Sequence, residues 1–559
     1  MRGDLERAMV VSAAAPWASR TQSTARGRRA AGPNEKGLNI MNSSTSCTTR
    51  RNFVKAAGVA AASTVALSAG TALADEAAWD EEFELVVVGG GLAGFSTAVA
   101  AVNDCGATSV LLAEKGSIPG GCSPFSVCRC VYTDDYDGFL TYMEELEGGR
   151  TNTPTDVLEA FAQGSVEVLD WVKSLGVNVD EMSVEAPGTP SPTQPTTYPE
   201  YPELEGAQAV GNFRVGTAEG AQGPRSLYIF LQQWVEEHAD AVDYRTEFPV
   251  SELIQDETGR VVGVVANGER IHATKGVVMC CGGFENNTTM LEDTFGILNL
   301  KSVAATLNTG DGHKMCTKIG ADSWHMNGAG GFWYCHVDAN DLPWYCFAGN
   351  IVVGKSGRRF YYDGQSVPEG YQEAPIATAV GDRHGHQNFG GEFTHLPLPE
   401  AYKILDANSY ASFGFNSPAG MAYEGDPVEN GDAFMGETIE ELAEACGLPA
   451  DELAKSVETW NGFCEGGADL AQYRPADSMV ALDTPPFYAI KLTPCFLNTD
   501  GGPRRSAKAE ILDVEGNPIA GLFSSGEFGS IHNFMYQGGT NVSECVIFGR
   551  IAVKSAFEA

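Results

Sequence analysis

Apolar residues follow two different periods along this chain. Short unbroken runs at Leu85-Val86-Val87-Val88, Val110-Leu111-Leu112-Ala113 and Val277-Val278-Met279 sit between glycines and polar turns, which reads as buried strands. Alternating stretches around Val250 to Ile254 and Val261 to Val265 read as half-buried strands. Helical spacing governs Ser96 to Val102, Tyr136 to Leu146, Thr155 to Leu175, Ser226 to His238, Ile439 to Ala445, Asp451 to Cys464 and Val542 to Phe557. Between these lie a Pro/Thr/Gly-rich stretch at 185–224, expected to be a long irregular excursion, and an aromatic, loop-rich region at 323–481. From Pro485 onward strand-and-turn patterns return. The pattern predicts an α/β fold: a Rossmann-like domain with a mixed sheet at 80–322, interrupted by a smaller α+β cap at 323–484 and completed by 485–559.

The first strand runs into glycines at 89, 91 and 94, a helix follows, and the second strand delivers Glu114 twenty residues after Gly94. Strand, glycine turn, helix, strand and acid form the fingerprint for the adenosine half of a dinucleotide. Gly89 permits the tight turn, Gly91 admits the pyrophosphate to the backbone, and Gly94 lets helix pack on strand. The helix N-terminus favours the anionic pyrophosphate. Glu114 is placed to accept from ribose hydroxyls and would repel a phosphate there, which argues against an NADP-type ligand.

Two features before residue 75 change the cellular picture. Thr49-Arg50-Arg51-Asn52-Phe53-Val54-Lys55 opens an Ala/Gly/Ser/Val stretch ending at Ala72-Leu73-Ala74, the pattern of a twin-arginine export signal with a small-residue cleavage site. Met41 would give a leader of ordinary length, so residues 1–40 are an expected over-extended start. The chain has 559 residues and a net charge of −37. Ten Lys/Arg and three Asp/Glu precede residue 75, so the remainder carries 26 basic against 70 acidic side chains, about −44. Such a surface excludes nucleic acid and anionic membrane as partners. Of 14 cysteines, Cys47 lies in the leader; the other thirteen form no disulfide framework, no haem motif and no ferredoxin-type run. Cys122, Cys128 and Cys130 are the metal candidates, and buried thiols or a 4Fe–4S cluster drawn from distant cysteines both remain open.

Several further segments recur in a fixed order: Gly120-Gly121-Cys122-Ser123, Cys281-Gly282-Gly283-Phe284-Glu285-Asn286, Gly310-Asp311-Gly312-His313-Lys314-Met315 and Gly357-Arg358-Arg359-Phe360. Pro485-Pro486-Phe487-Tyr488-Ala489, Gly521-Leu522-Phe523-Ser524-Ser525-Gly526-Glu527 and Gly538-Gly539 leading to Phe548-Gly549-Arg550 complete the set. Together they resemble the flavoprotein family of fumarate reductase, succinate dehydrogenase and ketosteroid dehydrogenase. The resemblance implies FAD between a Rossmann-like domain and a mobile cap, with substrate against the isoalloxazine. It implies that Gly89, Gly91, Gly94 and Glu114 hold the ADP half, and that Gly121 and Ser123 lie along pyrophosphate and flavin. It also implies that Gly282 and Gly283 pass the adenosine side, Gly526-Glu527 meet the ribityl chain, and Gly538-Gly539 flank the flavin pyrimidine.

Departures from that family's pattern bear on substrate. Its substrate arginine falls on Tyr536, its paired histidines on Leu497-Asn498, its Thr-Glu pair on Leu342-Pro343 and its proton-donating arginine on Val367, while one histidine is kept as His532. A small dicarboxylate therefore loses most of its anchors. Aromatic groups replace them: Phe332-Trp333-Tyr334, Trp344-Tyr345-Cys346-Phe347, Tyr361-Tyr362 and Phe534-Met535-Tyr536. The expectation is an exported reductase passing hydride from flavin N5 to an activated C=C of a flat, largely apolar molecule, with Tyr536 and His532 on the proton side. The unsaturated lactone of a cardiac glycoside such as digoxin is its finest form. Electrons are expected from a membrane-associated cytochrome, in an extracytoplasmic space. A fumarate- or urocanate-type acrylate reductase, with carboxylate anchors at Arg225, Arg504 or Arg505, and a ketosteroid-type dehydrogenase are the alternatives.

Overall fold

The computed structural model describes residues 78–559 apart from 127, 151, 190–198, 203, 217–225, 297–300, 303–305, 338–341, 345–350, 361–400, 413–424, 473, 475, 477–478 and 534. At 301, 331–337, 342–344, 412 and 493–494 it describes the backbone alone. The export leader and its Met41 alternative lie outside the described residues, as do Arg225, Val367 and Tyr361-Tyr362.

Strand β1 (Glu81–Val88) leads through the glycine turn into α1 (Leu92–Cys105) and then β2 (Val110–Ala113). Strands β3 (Val242–Arg245) and β4 (Glu269–Met279) follow much later. β5 (Phe487–Thr499), β6 (Pro518–Ser524) and α2 (Thr540–Glu558) close the chain. The first sheet is ordered Glu510–Leu512, β6, β4, β1, β2, β3, with Glu510–Leu512 antiparallel to β6 and the other pairs parallel. An antiparallel meander, Val250–Gln255 to Val261–Ala266 to β4, is attached to it. Both faces of β1 are buried, which is why its sequence is a continuous apolar run rather than an alternation. Gly94 packs α1 on the sheet so tightly that a Cβ there would lie 1.8 Å from the Gly89 carbonyl.

The second sheet has seven strands, and β5 is its spine. Ala329–Val337, Ala401–Leu405 and Ala433–Gly436 pair antiparallel with β5, while Lys301–Ser302 pairs parallel. Lys301–Ser302 and β5 both belong to the second sheet, and the chain returns to the first after Thr499. The expected irregular excursion at 185–224 needs a correction. It contains a strand, Gly211–Arg214, sandwiched between Cys130–Tyr132 and Ser183–Glu185. Its Pro/Thr/Gly surroundings hide a four-residue element whose pairing partners are distant in sequence.

Helices Ile439–Cys446 and Ala450–Gly466 cover the second sheet around Trp460, which is fully buried. The indole donates to the Val480 carbonyl at 2.8 Å, and the Arg359 and Arg474 guanidinium carbons sit 4.8 and 5.2 Å from its ring centre. Arg359 also pairs with Asp469 at 2.8 Å, so the arginine of the Gly357-Arg358-Arg359-Phe360 segment holds the cap together. Among the described residues no helix is long and apolar enough to cross a membrane. Replacing Trp460 with alanine is expected to destabilise the cap by roughly 3–5 kcal/mol. Thermal melts should record the loss, and flavin content at low temperature should stay at the wild-type level because no group at the nucleotide end is touched.

Candidate functional site

The glycines of the fingerprint are required by close approach. Gly89 has φ +111, and a Cβ there would meet the Cys280 carbonyl at 2.3 Å. Gly91 begins α1 without a side-chain cap, and the first helical amide, Leu92 N–H, donates to Ser123 Oγ at 2.8 Å. Gly120 and Gly121 take φ +129 and +54, curling the 120–123 segment over that helix start. Glu114 is buried with Oε2 accepting Gly90 N–H at 2.8 Å and Oε1 accepting Gly116 N–H at 2.6 Å. Each carboxylate oxygen keeps a lone pair for a sugar hydroxyl. On the facing side Gly282 (φ +65) abuts the Asn308 side chain, and a Cβ at Gly283 would strike Thr499 Oγ1 at 2.2 Å. The structure therefore gathers Gly89, Gly91, Gly94, Glu114, Gly121, Ser123, Gly282 and Gly283 along one path.

Further along that path two carboxylates converge. Cys122 Sγ donates to Glu285 Oε1 at 3.0 Å, and Asn308 Nδ2 reaches Glu285 Oε1 at 2.7 Å and Glu527 Oε1 at 3.3 Å. Burial pushes Glu285 up to about 7, against the hydrogen bonds from Cys122, Asn308 and Thr499. Burial, then the charge of Glu285, holds Glu527 well above the ordinary carboxylate range. Glu527 rides on the turn at Gly526, whose φ is +74. A buried and a half-buried acceptor side by side suit a ligand segment rich in hydroxyl donors.

The proton-side candidates lie between this turn and α2. His532 is buried, its ring edge-on to Phe161 (5.5 Å) and to Tyr536 (5.6 Å). Tyr536 turns its hydroxyl toward the start of α2, where the oxygen accepts Gly539 N–H at 3.1 Å and Asn541 N–H at 3.3 Å. Burial raises the phenol above its ordinary range, so it stays protonated, and two amide donors on its oxygen polarise the O–H bond. Gly538 N–H donates to buried Glu200 at 3.2 Å, and Gly539 (φ +90) presses on the Arg129 carbonyl. Asp500, fully buried, takes a bond from Asn498 Nδ2 at 3.0 Å, and its charge is among those that push Glu527, Tyr536 and Glu544 upward.

A family model described as "FAD binding domain" matches residues 84–542. The chain belongs to this family. It is 27% identical to a probable fumarate reductase of Shewanella frigidimarina over 85% of this chain and 75% of the relative. It is also 27% identical to the digoxin reductase of Eggerthella lenta over 89% and 91% of the two chains. The 3-ketosteroid Δ1-dehydrogenase of Sterolibacterium denitrificans matches in fold with a TM-score of 0.68 at 21% identity, covering 86% of this chain and all of that one. This flavoprotein is an FAD-dependent oxidoreductase acting on CH–CH or C=C bonds, with the fold and family that its motifs resemble.

The donor set fits FAD. The capless start of α1 and Ser123 suit a pyrophosphate, Glu114 a ribose, and the Glu285–Glu527 pair a polyhydroxyl chain. The three metal candidates separate. Cys122 joins Glu285 and Glu527, the one group among the described residues whose ligand atoms are close enough to share an ion. Cys130 Sγ instead meets Ser543 Oγ at 3.3 Å, and burial pushes its thiol up to about 12. Cys128 is buried with φ +48. The side chains of Phe332-Trp333-Tyr334 and Trp344, and residues Tyr345-Cys346-Phe347 and Phe534, lie outside the described residues. Missed from sequence are Glu200, Asn308, Asp500 and Glu544. A lone acid inside the apolar run Val542 to Ile551 could have flagged the last.

The raised Glu285 has a sign that can be checked. Its contribution to apoprotein stability is complete below the ordinary carboxylate range and is lost as pH rises through about 7. Melting temperatures of FAD-stripped protein should therefore fall between pH 5 and 8, and Glu285→Gln should flatten that fall. Parallel curves for the two proteins would remove Glu285 from the account.

Proposed function

We propose that this flavoenzyme reduces the activated C=C of an uncharged, largely apolar substrate, and that the unsaturated lactone of a cardiac glycoside is the best first choice. The observation that carries the reading is electrostatic. Where the family's carboxylate-binding histidines fall, this chain has Leu497-Asn498 leading into buried Asp500. The arginines named as alternative anchors are engaged otherwise: Arg504 with Asp322 at 2.7 Å, and Arg505 with three backbone carbonyls, while Arg225 lies outside the described residues. A dicarboxylate would thus meet like charge, whereas a neutral enone or lactone needs only a donor to its carbonyl. The digoxin reductase, matched along 91% of its length, supports the same direction.

Bound FAD supplies the hydride, delivered from N5 to the β-carbon of the acceptor. Tyr536, its oxygen steadied by two amides of α2, donates to the carbonyl where enolate charge develops, and His532 behind it serves the proton due at the α-carbon. Export by the twin-arginine route with FAD already loaded, and electrons from a membrane-associated cytochrome, complete the proposal. The leader and the strongly acidic remainder of the chain support it. No nucleic acid enters this reading.

The test is oxidation of dithionite-reduced methyl viologen across steroidal enones, unsaturated lactones, fumarate and urocanate. Lactones or enones are expected to be fastest. A higher rate with fumarate or urocanate would overturn the reading in favour of an acrylate reductase, and activity only in the oxidative direction would favour a ketosteroid-type dehydrogenase. Within that assay Tyr536→Phe should lower kcat by roughly 10²-fold. A Phe variant as fast as wild type would remove Tyr536 from its role.

A further inference from the structure

Glu544 is a buried acid that the hydride chemistry above does not use. It stands on the second turn of α2, fully buried. Its Oε2 accepts the Ser530 hydroxyl at 2.7 Å and its Oε1 accepts Ile531 N–H at 2.9 Å. Arg505 Nη1 faces Oε1 at 3.4 Å, and His532 Nε2 faces Oε2 at 3.7 Å. The His532 backbone N–H donates to the same Ser530 Oγ at 3.1 Å. Ser530 thus joins the carboxylate to the His532 backbone, and the imidazole, boxed by Phe161 and Tyr536, stands within ion-pair reach of Glu544.

We infer that Glu544 is the positioning residue for His532: its carboxylate orients the imidazole and favours its protonated form, while Arg505 draws the carboxylate toward ionisation. The inference rests on the reading of His532 and Tyr536 as the proton side of the site. Each reduction adds a hydride to one carbon and a proton to its neighbour. The imidazolium releases that proton and is recharged from solvent, and Glu544 transfers none. Burial pushes Glu544 up to about 7 against the pull of Arg505 and the hydrogen bonds from Ser530 and Ile531. The other groups around the pair are Asp500 from the turn after β5, Cys545 on α2, and Tyr536 with Glu200 beyond it. On the opposite side of Ser530, His325 Nδ1 donates to the Ser530 carbonyl at 2.7 Å. Its Nε2 contacts Thr153 Oγ1, which also reaches Glu147. These surroundings bear on both partners alike. Among the described residues His532 stands within ion-pair reach of Glu544, whereas His325 and His313 bond to backbone carbonyls.

The test follows the imidazole directly in FAD-loaded protein carrying ¹⁵N-histidine, with His532→Asn assigning the signal. In wild type the coupled pair should titrate in two steps. In Glu544→Gln, which keeps the shape and removes the charge, His532 should titrate in one step with its midpoint lower by about one pH unit or more, on the order of a tenfold change in proton affinity. His325 should not move. The basic limb of kcat against pH should shift downward equally, with KM changed by less than about twofold, a pattern that loss of fold alone does not produce. A Gln variant that holds FAD and shows the wild-type His532 midpoint overturns the inference. Where that variant fails to hold FAD, a single ideal step in wild type overturns it equally. Neither titration depends on a substrate, so an inactive viologen assay would sink the proposed reaction and leave this inference standing, and the reverse result is as clear.

Discussion

The structure turns on one buried cation. The Arg505 side chain has no exposed surface, and its Nη2 donates to the carbonyls of Gly526, Phe528 and Gly529 at 2.6, 3.1 and 2.6 Å. Three carbonyls of one short turn point inward at a single guanidinium because Gly526 and Gly529 take φ +74 and +76, a conformation that side chains resist. The turn needs the cation to satisfy its oxygens, and the cation needs the turn and Glu544 to offset its desolvation. That mutual requirement ties the segment bearing Glu527, on the flavin side, to the helix bearing Glu544, behind His532. It makes cofactor grip and proton placement parts of one rigid object.

Around that object the charge balance runs negative. Glu285 and Glu544 are each pushed up to about 7 by burial, as is Glu147, and burial with the charge of Glu285 holds Glu527 well above the ordinary carboxylate range. Apolar packing alone would never select such a cluster, since each carboxylate loses hydration it does not fully regain. The compensation must come from donors, which a ribityl chain, a ribose and a substrate proton relay provide. His313 marks the contrast. Its buried ring, held down to about 4 by desolvation, is wedged edge-on between Phe284 and Phe528 and bonded to the Gly501 carbonyl, a neutral structural pin.

Legibility followed sequence distance. The nucleotide end could be read from the chain because turn, helix start and acid recur at fixed short spacing, so Gly89 to Glu114 dictates its own geometry. The ribityl acid at 527 was reachable only through motif order, and its partner Asn308 not at all, being 219 residues away. Proximity misled at the cysteines. The short helical turn Ser123–Phe125 carries Cys122 toward Glu285, while Cys130 enters a strand and packs on Ser543 of α2. The strand Gly211–Arg214 escaped notice because its apolar content is one phenylalanine; its pairing, rather than its pattern, makes it a strand. Arg505 was weighed as a substrate anchor, a fair use of an arginine until its burial and three carbonyl partners are known.

Under the proposed reaction the same burial bears on the substrate. An anion brought beside buried Asp500 would lose its own hydration next to a like charge, and the Arg505 guanidinium, fully buried between a turn and Glu544, is not exposed to meet it. A neutral acceptor would face no such barrier. On that reading its carbonyl would meet a phenol kept protonated by burial and polarised by the first amides of α2, an arrangement suited to charge that appears only as hydride arrives. The acids that would repel a carboxylate thus also favour the proton donor: the charges of Glu200 and Asp500 add to burial in holding the Tyr536 phenol in its protonated form.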